Sequence, residues 1–169
     1  FDLYAAIEKC SYLCEKFGGH KYAAGLSIKK ENLIQFIEEF EKSVRETITE
    51  DQLIPKINID KAIDIDAIDD KLYRTIKQFA PFGPKNLSPI FISKNVVDNG
   101  YGKRVGEDKN HLRINVKRTN NSIAGIGFGM GNLFEKIKDN QSFDVCYSID
   151  ENEWNGKKSL QLRIRDIKE

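Results

Sequence analysis

The stretch FDVCYSIDENEWNGKKSLQLRIRDI, residues 143–167, decides the fold of the second half of this chain. Within it, Leu160, Leu162 and Ile164 alternate with polar residues, the period-two pattern of a strand with one buried face. A partner strand is predicted over residues 143–149. Asn155-Gly156 lies between the two strands and is a strong signal for a type I′ turn, because both residue types accept a positive φ. The stretch therefore predicts an antiparallel hairpin.

Further short strands are predicted upstream of this hairpin. They cover residues 90–98, 112–118 and 123–128, and each is bounded by Gly, Asn or Asp. One brief helix is predicted over residues 132–138. Five short strands with a helix between the third and the fourth are typical of a five-stranded antiparallel oligonucleotide-binding barrel, the OB-fold. A small β-sandwich stays open as the alternative.

A leading strand and helix are predicted before this barrel. The alternation of Ile57, Ile59, Ile63 and Ile65 with polar residues predicts a strand, and a helix is predicted over residues 66–79. Its inward positions are Ile68, Leu72, Ile76 and Phe79. The pattern changes near Pro55, so we expect two domains, residues 1–55 and residues 56–169.

The first domain is expected to be a partial two-layer α/β piece, which makes the whole chain α+β. Apolar spacing predicts helices over residues 3–16 and 31–49, with a strand over residues 22–28 between them. The Gly18-Gly19 pair is expected to end the first helix. The chain begins with Phe1 rather than Met, and we expect more of this sheet upstream.

Composition and charge limit the classes of function that fit this chain. The chain has 169 residues, 40% hydrophobic content and a net charge of +1. Residues 1–55 carry a net charge of −3 and residues 80–169 carry +4, which favours a polyanion partner for the second half. No apolar run long enough for a membrane span and no export signal is visible, so a cytoplasmic location without membrane contact is expected.

The run GGHKYAAG, residues 18–25, is the first candidate site. Adjacent glycines free the backbone and remove side-chain bulk, so that amides can point at a ligand, and His20 adds a donor near neutral pH. This pattern suits a phosphate bound by Gly18, Gly19, His20 and Lys21. A tight turn with a capping histidine is the alternative.

The exposed face of the predicted barrel is the second candidate site. Its outward positions carry cations and no carboxylate, which suits a phosphate backbone crossing the sheet; they are Arg113, Lys117, Arg163 and Arg165. A solvated surface is the alternative. Trp154, beside the hairpin tip, is expected either to stack on a base or to cover the end of the barrel.

Other motifs favour structural roles. The run FGMG, residues 128–131, lacks the Lys-Ser/Thr of a phosphate-binding loop and is predicted to be a strand-to-helix turn. Four carboxylates resemble a metal cluster, but their positions favour capping of a helix; they are Asp64, Asp66, Asp69 and Asp70. No metal-ligand set and no catalytic triad can be assembled, so no complete active site is expected in this chain.

Two motifs resemble a known family. The run KFGGHKYAAGL, residues 16–26, resembles the signature of the DHH-associated domain in the DHH phosphoesterase superfamily. The run APFGPKN, residues 80–86, with Pro89 and Phe91, resembles the start of the OB domain of the RecJ family. Further similar segments are residues 124–131, 152–156 and 159–162, so the resemblance covers nearly the whole chain.

The resemblance implies a 5′ to 3′ exonuclease of single-stranded DNA that acts in DNA repair and recombination. It also implies two manganese or magnesium ions in an N-terminal DHH domain outside this chain, with no cofactor in the fragment itself. Gly18, Gly19 and His20 match the positions that hold the scissile-end phosphate, although Phe17 replaces a third glycine.

The fragment alone is then expected to bind single-stranded DNA weakly and to hydrolyse nothing. A single-strand-binding protein is a further candidate partner. Two alternatives stay open: a DHH phosphodiesterase of short RNA or cyclic dinucleotides, and a protein-docking module.

Overall fold

The computed structural model describes every residue from Phe1 to Glu169. By its internal contacts the chain divides into two compact units, Phe1–Ile57 and Asn58–Glu169, called here the N-terminal unit and the C-terminal unit. No helix in either unit combines the length and the apolar character that a membrane crossing requires.

The N-terminal unit consists of three helices and a two-stranded sheet. Its elements are α1 (Leu3–Glu8), β1 (Cys14–His20), β2 (Ala23–Ile28), α2 (Leu33–Thr47) and α3 (Glu50–Leu53). The strand predicted over residues 22–28 and the helix predicted over residues 31–49 are confirmed as β2 and α2.

The predicted helix over residues 3–16 is wrong beyond Glu8. A 3₁₀ turn at Ser11–Leu13 follows α1 and leads directly into β1. Gly18 and Gly19 therefore do not end a helix. They lie inside β1, whose backbone is held by antiparallel pairing with β2.

The core of this unit explains the misleading pattern. Cys10, Leu13 and Phe36 are buried together, and Phe40 packs against them. The 3₁₀ turn brings Cys10 and Leu13 to the same side, which a continuous helix would also do, so apolar spacing alone does not distinguish the two.

The C-terminal unit is built on one mixed sheet. Its elements are β3 (Lys61–Ala62), α4 (Asp70–Lys77), β4 (Phe91–Asp98), β5 (Lys103–Val105), β6 (His111–Lys117), β7 (Ser122–Gly127), α5 (Phe134–Ile137), β8 (Phe143–Trp154) and β9 (Lys157–Lys168). The five long strands and the brief helix match the predicted ones in order. The three-residue strand β5 lies outside the predicted strands.

The strand order is β3-β4-β8-β9-β7-β6-β5, and β4 also pairs with β6. The sheet therefore curves far enough for β4 and β6, from opposite ends of this order, to meet. Most neighbours are antiparallel, but β7 runs parallel to β9 and β3 runs parallel to β4. The five long strands form the expected OB-like arrangement, with one correction: β7 runs parallel to β9, so the sheet is mixed rather than antiparallel throughout. Two separate stacked sheets are not formed.

Two further predictions in this unit are wrong. Of the strand predicted over residues 57–65, only Lys61–Ala62 forms ladder pairs, and the side chains of Ile57 and Ile59 are exposed. The helix predicted over residues 66–79 begins only at Asp70, and Phe79 beyond its end is 63% exposed rather than inward.

The β8–β9 hairpin is confirmed. Asn155 and Gly156 have φ values of 50° and 73°, as a type I′ turn requires. Ile149 and Leu162 still contribute to the core, whereas residues 150–159 are exposed along both strands. The hairpin therefore extends beyond the packed part of the sheet.

Candidate nucleic-acid interface

The β1–β2 ribbon places the Gly-Gly-His run beside a two-residue turn. His20 pairs with Ala23, and Lys21 and Tyr22 form the turn. Gly18 pairs with Gly25, and a Cβ atom added at either glycine would meet nothing within 4 Å. The ribbon therefore presents bare, exposed backbone on both strands at this pair.

Gly19 is constrained in the opposite way. Its φ is +141°, and a Cβ atom there would lie 2.4 Å from the carbonyl oxygen of Ala23 and 2.5 Å from the Cα of Ala24. No L side chain fits that approach without separating the strands. The two neighbouring glycines thus have different functions: Gly18 leaves space open, and Gly19 allows the ribbon to close.

The imidazole of His20 is oriented by the turn. The amide of Tyr22 donates a hydrogen bond to Nδ1 of His20 at 3.2 Å, which assigns the proton of the neutral ring to Nε2. Lys21 extends beside it, with its Nζ 5.6 Å from the centroid of the Tyr22 ring. The turn therefore offers an imidazole N–H donor and an ammonium group, both exposed, next to open backbone.

In the C-terminal unit, three cations form a row across neighbouring strands. Lys103 on β5 pairs with Arg113 on β6, Arg113 pairs with Ile126 on β7, and Ile126 pairs with Arg163 on β9. Directly paired residues share one face of a sheet. Lys103, Arg113 and Arg163, called here the cationic row, therefore project from the same face, and all three are exposed.

The cationic row has no carboxylate partners. None of its members takes part in any of the seven ion pairs of the chain. Arg104, the neighbour of Lys103 on the opposite face, is by contrast bound to Glu135 at 2.9 Å. A shallow cavity of about 280 Å³ lies beside the row and is lined by Tyr101, Lys103, Arg113, Ile114, Asn115 and Ala124.

Sequence reasoning missed an aromatic residue next to this row. Phe128 follows β7, and its side chain is 56% exposed. The guanidinium carbon of Arg163 lies 5.6 Å from the centroid of the Phe128 ring, and the His111 ring meets it edge-on with the centroids 5.3 Å apart. The available signal was an aromatic residue at an outward position at the end of a predicted strand; the cations beside it lie on the neighbouring strands β6 and β9.

The remaining predicted site residues lie in different places. Arg165 shares the face of Arg163, and its guanidinium donates to the hydroxyl of Ser148 at 3.4 Å. Lys117 stands at the far end of β6, four residues from Arg113, and lines a separate cavity of about 740 Å³. Trp154 ends β8 at the hairpin tip and is 74% exposed, so it does not cover the end of the sheet.

The aspartates near α4 cap and brace the backbone, as predicted. The side chain of Asp69 accepts from the amide of Leu72 at 2.7 Å, and that of Asp64 accepts from the amide of Asp66 at 3.1 Å. Asp64 is also ion-paired with Arg118.

The donor set does not fit a metal ion. No group of three or more His, Cys, Asp or Glu side chains lies close enough together to hold one. Burial raises the pKa of the Cys10 and Cys146 thiols above their ordinary value, which keeps both protonated. We therefore derive no metal-dependent or thiolate step from this chain.

The chain is similar to known exonucleases along most of its length. It is 26% identical over 166 residues to the single-stranded-DNA-specific exonuclease RecJ of Bacillus subtilis (strain 168), covering 98% of this chain and 21% of that protein. It is 28% identical over 153 residues to RecJ of Haemophilus influenzae, covering 88% of this chain and 26% of that protein. The chain thus spans about a quarter of the length of these relatives.

Solved structures show the same fold. The crystal structure of RecJ from Thermus thermophilus in complex with Mg²⁺ superposes with a TM-score of 0.71 at 19% identity, over 98% of this chain and 24% of that chain. The family model described as the RecJ OB domain matches residues 59–166. Since that match covers more than half of the sequence, this chain belongs to the RecJ OB domain family.

Proposed function

We propose that this chain is the nucleic-acid-gripping part of a 5′ to 3′ single-stranded-DNA exonuclease. The observation that carries the proposal is the cationic row of the RecJ-type OB domain, which lacks carboxylate partners along its whole length. Free cations on a sheet face suit a phosphate backbone, and exposed aromatic side chains beside them suit unpaired bases. The names of the relatives support the substrate class.

The N-terminal unit, in this proposal, is part of a DHH-associated domain that binds the phosphate at the end of the strand. The open backbone at Gly18 and Gly25 lets a phosphate approach closely, and the Nε2 proton of His20 and the ammonium of Lys21 supply donors. These groups bind and orient the strand end.

Phosphodiester hydrolysis is assigned to a further domain of the parent protein. The family resemblance implies manganese or magnesium there, which would supply an activated water. Residues 1–169 contribute binding energy and position the strand, so the fragment alone is expected to be inactive. For the parent protein we infer a cytoplasmic role in DNA repair and recombination, with a single-strand-binding protein as a candidate partner.

The experiment compares two binding surfaces in the 169-residue chain. Affinity for a fluorescent 5′-phosphorylated oligonucleotide is measured by anisotropy for the wild type, for His20→Ala and for Arg163→Ala with Arg165→Ala. We expect weaker binding in both variants, and we expect the wild type to leave the oligonucleotide uncut in manganese.

The other outcomes separate the alternatives. Loss only in the arginine variant would leave an OB module with a structural His20. Unchanged binding in both variants would favour a protein-docking module. Robust manganese-dependent cleavage by the chain itself would overturn the assignment of hydrolysis to a further domain of the parent protein. Preference for a cyclic dinucleotide or a very short RNA over the oligonucleotide would favour the alternative function, a DHH phosphodiesterase of such substrates.

A further inference from the structure

Phe128 is exposed in a way that core packing does not explain. It follows the last residue of β7, and more than half of its side chain faces solvent. On the same face of the sheet, the exposed side chains of Arg113 and Arg163 flank Ile126, the preceding outward residue of β7. A large ring at such a place is available to a ligand.

The ring is held in position by His111 and by the packing of the chain segments around it. His111 contacts it edge-on at an interplanar angle of 74°, and the amide of Gly129 fixes His111 by donating to its Nδ1 at 3.1 Å. Gly131 in turn approaches the backbone of Asn110 so closely that a Cβ atom there would lie 2.9 Å from the carbonyl carbon. The segments on both sides of the ring are thus packed against each other, and the ring is pre-positioned.

The positive charges beside the Phe128 ring indicate which class of ligand fits this surface. The guanidinium carbon of Arg163 lies over the ring, 5.6 Å from its centroid, which is a cation–π distance, and the Phe128 side chain is still 56% exposed to a ligand. Arg163 also begins the cationic row, which continues to Arg113 two strands away. An apolar surface that meets a row of unpaired cations fits a group with a flat face and an attached phosphate.

We propose that Phe128 is a stacking platform for one unpaired nucleobase of the bound strand, with Arg163 pairing the phosphate of the same nucleotide. This inference rests on the proposed function and adds a subsite to it. Bases inside a duplex are already stacked on their neighbours, so the platform selects single-stranded substrate. His111 is a positioning residue that orients the ring.

The test separates base stacking from phosphate binding. Affinity of the 169-residue chain is measured for a thymidine oligonucleotide and for an abasic oligonucleotide of the same length, which keeps the phosphates and lacks the bases. Phe128→Ala should weaken binding of the thymidine oligonucleotide about tenfold and leave the abasic one unchanged. Phe128→Trp should retain the affinity, and Phe128→Leu should lose it while keeping an apolar contact.

Control variants show which results would contradict the stacking platform. Phe79→Ala removes another exposed Phe of the C-terminal unit and should change neither affinity. Arg163→Ala should weaken binding of both oligonucleotides. Equal weakening of both, or no change, in Phe128→Ala would overturn the stacking platform while the proposed function stands. If the wild type binds neither oligonucleotide, the proposed function fails and the platform with it.

Discussion

Arg113 on β6 and Arg163 on β9 pair with the same residue of β7, Ile126, one from each side. Neighbouring strands lie about 4.8 Å apart, so the two Cα atoms stand roughly 10 Å apart with an apolar residue between them. Neither guanidinium has a carboxylate partner. The pair therefore spans a width of sheet that a phosphate backbone can cross.

Removing either arginine should reduce the salt dependence of binding as well as the affinity. Each phosphate contact to a single strand contributes about 0.7 to the slope of log affinity against log salt. Arg113→Ala and Arg163→Ala should each lower the slope by about that amount in an anisotropy titration from low to moderate salt. Arg45→Ala, whose guanidinium is bound to Glu41 in the N-terminal unit, is the control. An unchanged slope in both variants would exclude phosphate contacts at the row.

The two glycines of the ribbon should respond differently to alanine. Gly19→Ala places a methyl group 2.4 Å from the Ala23 carbonyl oxygen at a positive φ, so we expect a loss of about 2 kcal/mol in stability, measured by urea unfolding. Gly18→Ala meets nothing within 4 Å and should fold normally. If a phosphate approaches this backbone, Gly18→Ala should still weaken binding of a 5′-phosphorylated oligonucleotide. Equal stability of the two variants would contradict the assigned geometry.

Asp98 should be a strong stabiliser of the C-terminal unit. Its carboxylate is buried and accepts hydrogen bonds from the amides of Gly100, Gly102 and Asn115 at 2.9, 2.7 and 2.8 Å. Asp98→Ala leaves three amides without an acceptor, and we expect a loss of about 3 kcal/mol in the free energy of unfolding.

Asn at position 98 keeps one acceptor oxygen and should lose less stability than Ala. Asp108→Ala, at an exposed turn, should change stability by less than about 0.5 kcal/mol. Similar stability of Asp98→Ala and Asp108→Ala in urea unfolding would show that the three hydrogen bonds contribute little.

Stability should fall in strong base because of Tyr147. Burial raises the pKa of its hydroxyl to about 12, while its hydrogen bond to Ser93 at 2.7 Å acts in the opposite direction. The unfolded side chain titrates near 10, so the unfolded state loses its proton first. The buried, protonated hydroxyl of Tyr147 therefore stabilises the folded state fully below pH 10. This stabilisation is lost as the pH rises towards 12, by up to about 2 kcal/mol.

The comparison is with Tyr147→Phe, which cannot titrate. It should lose about 1 kcal/mol at pH 8 through the missing hydrogen bond, and this disadvantage should shrink above pH 10 and reverse by about pH 12, where the wild type has lost about 2 kcal/mol. The readout is urea unfolding followed by circular dichroism at several pH values. A constant difference between the two proteins over that range would contradict the shifted pKa.

The β-hairpin was predictable because the signal is local. Asn155 and Gly156 both accept the positive φ that a type I′ turn requires, and the alternation on either side fixes which residues are buried. The cationic face of β6 and β9 followed from the same alternation. That Arg113 and Arg163 share one neighbour did not, because it depends on the parallel pairing of β7 with β9. Such a register is set by distant parts of the chain and leaves no local signal.

The errors have equally specific causes. The first helix was predicted to extend to residue 16 because Cys10, Leu13 and Cys14 have helical spacing, yet the backbone after Glu8 forms a turn and a strand. Lys103 was missed because β5 has only three residues and is held entirely by its pairing with β6. Phe128 was assigned to a turn, correctly as far as the backbone goes, but exposure of its side chain could only be known from the fold.

The two units differ in the length of the strand edges that they leave unpaired. Every long strand of the C-terminal unit is paired on both sides, and the sheet ends in β3 and β5, which have only two and three residues. Such short edges offer little template for another chain. β1 and β2, by contrast, each keep one open edge along six or seven residues. In concentrated or partly unfolded solutions of the 169-residue chain, self-association through added strands should therefore begin at the Gly-Gly-His ribbon.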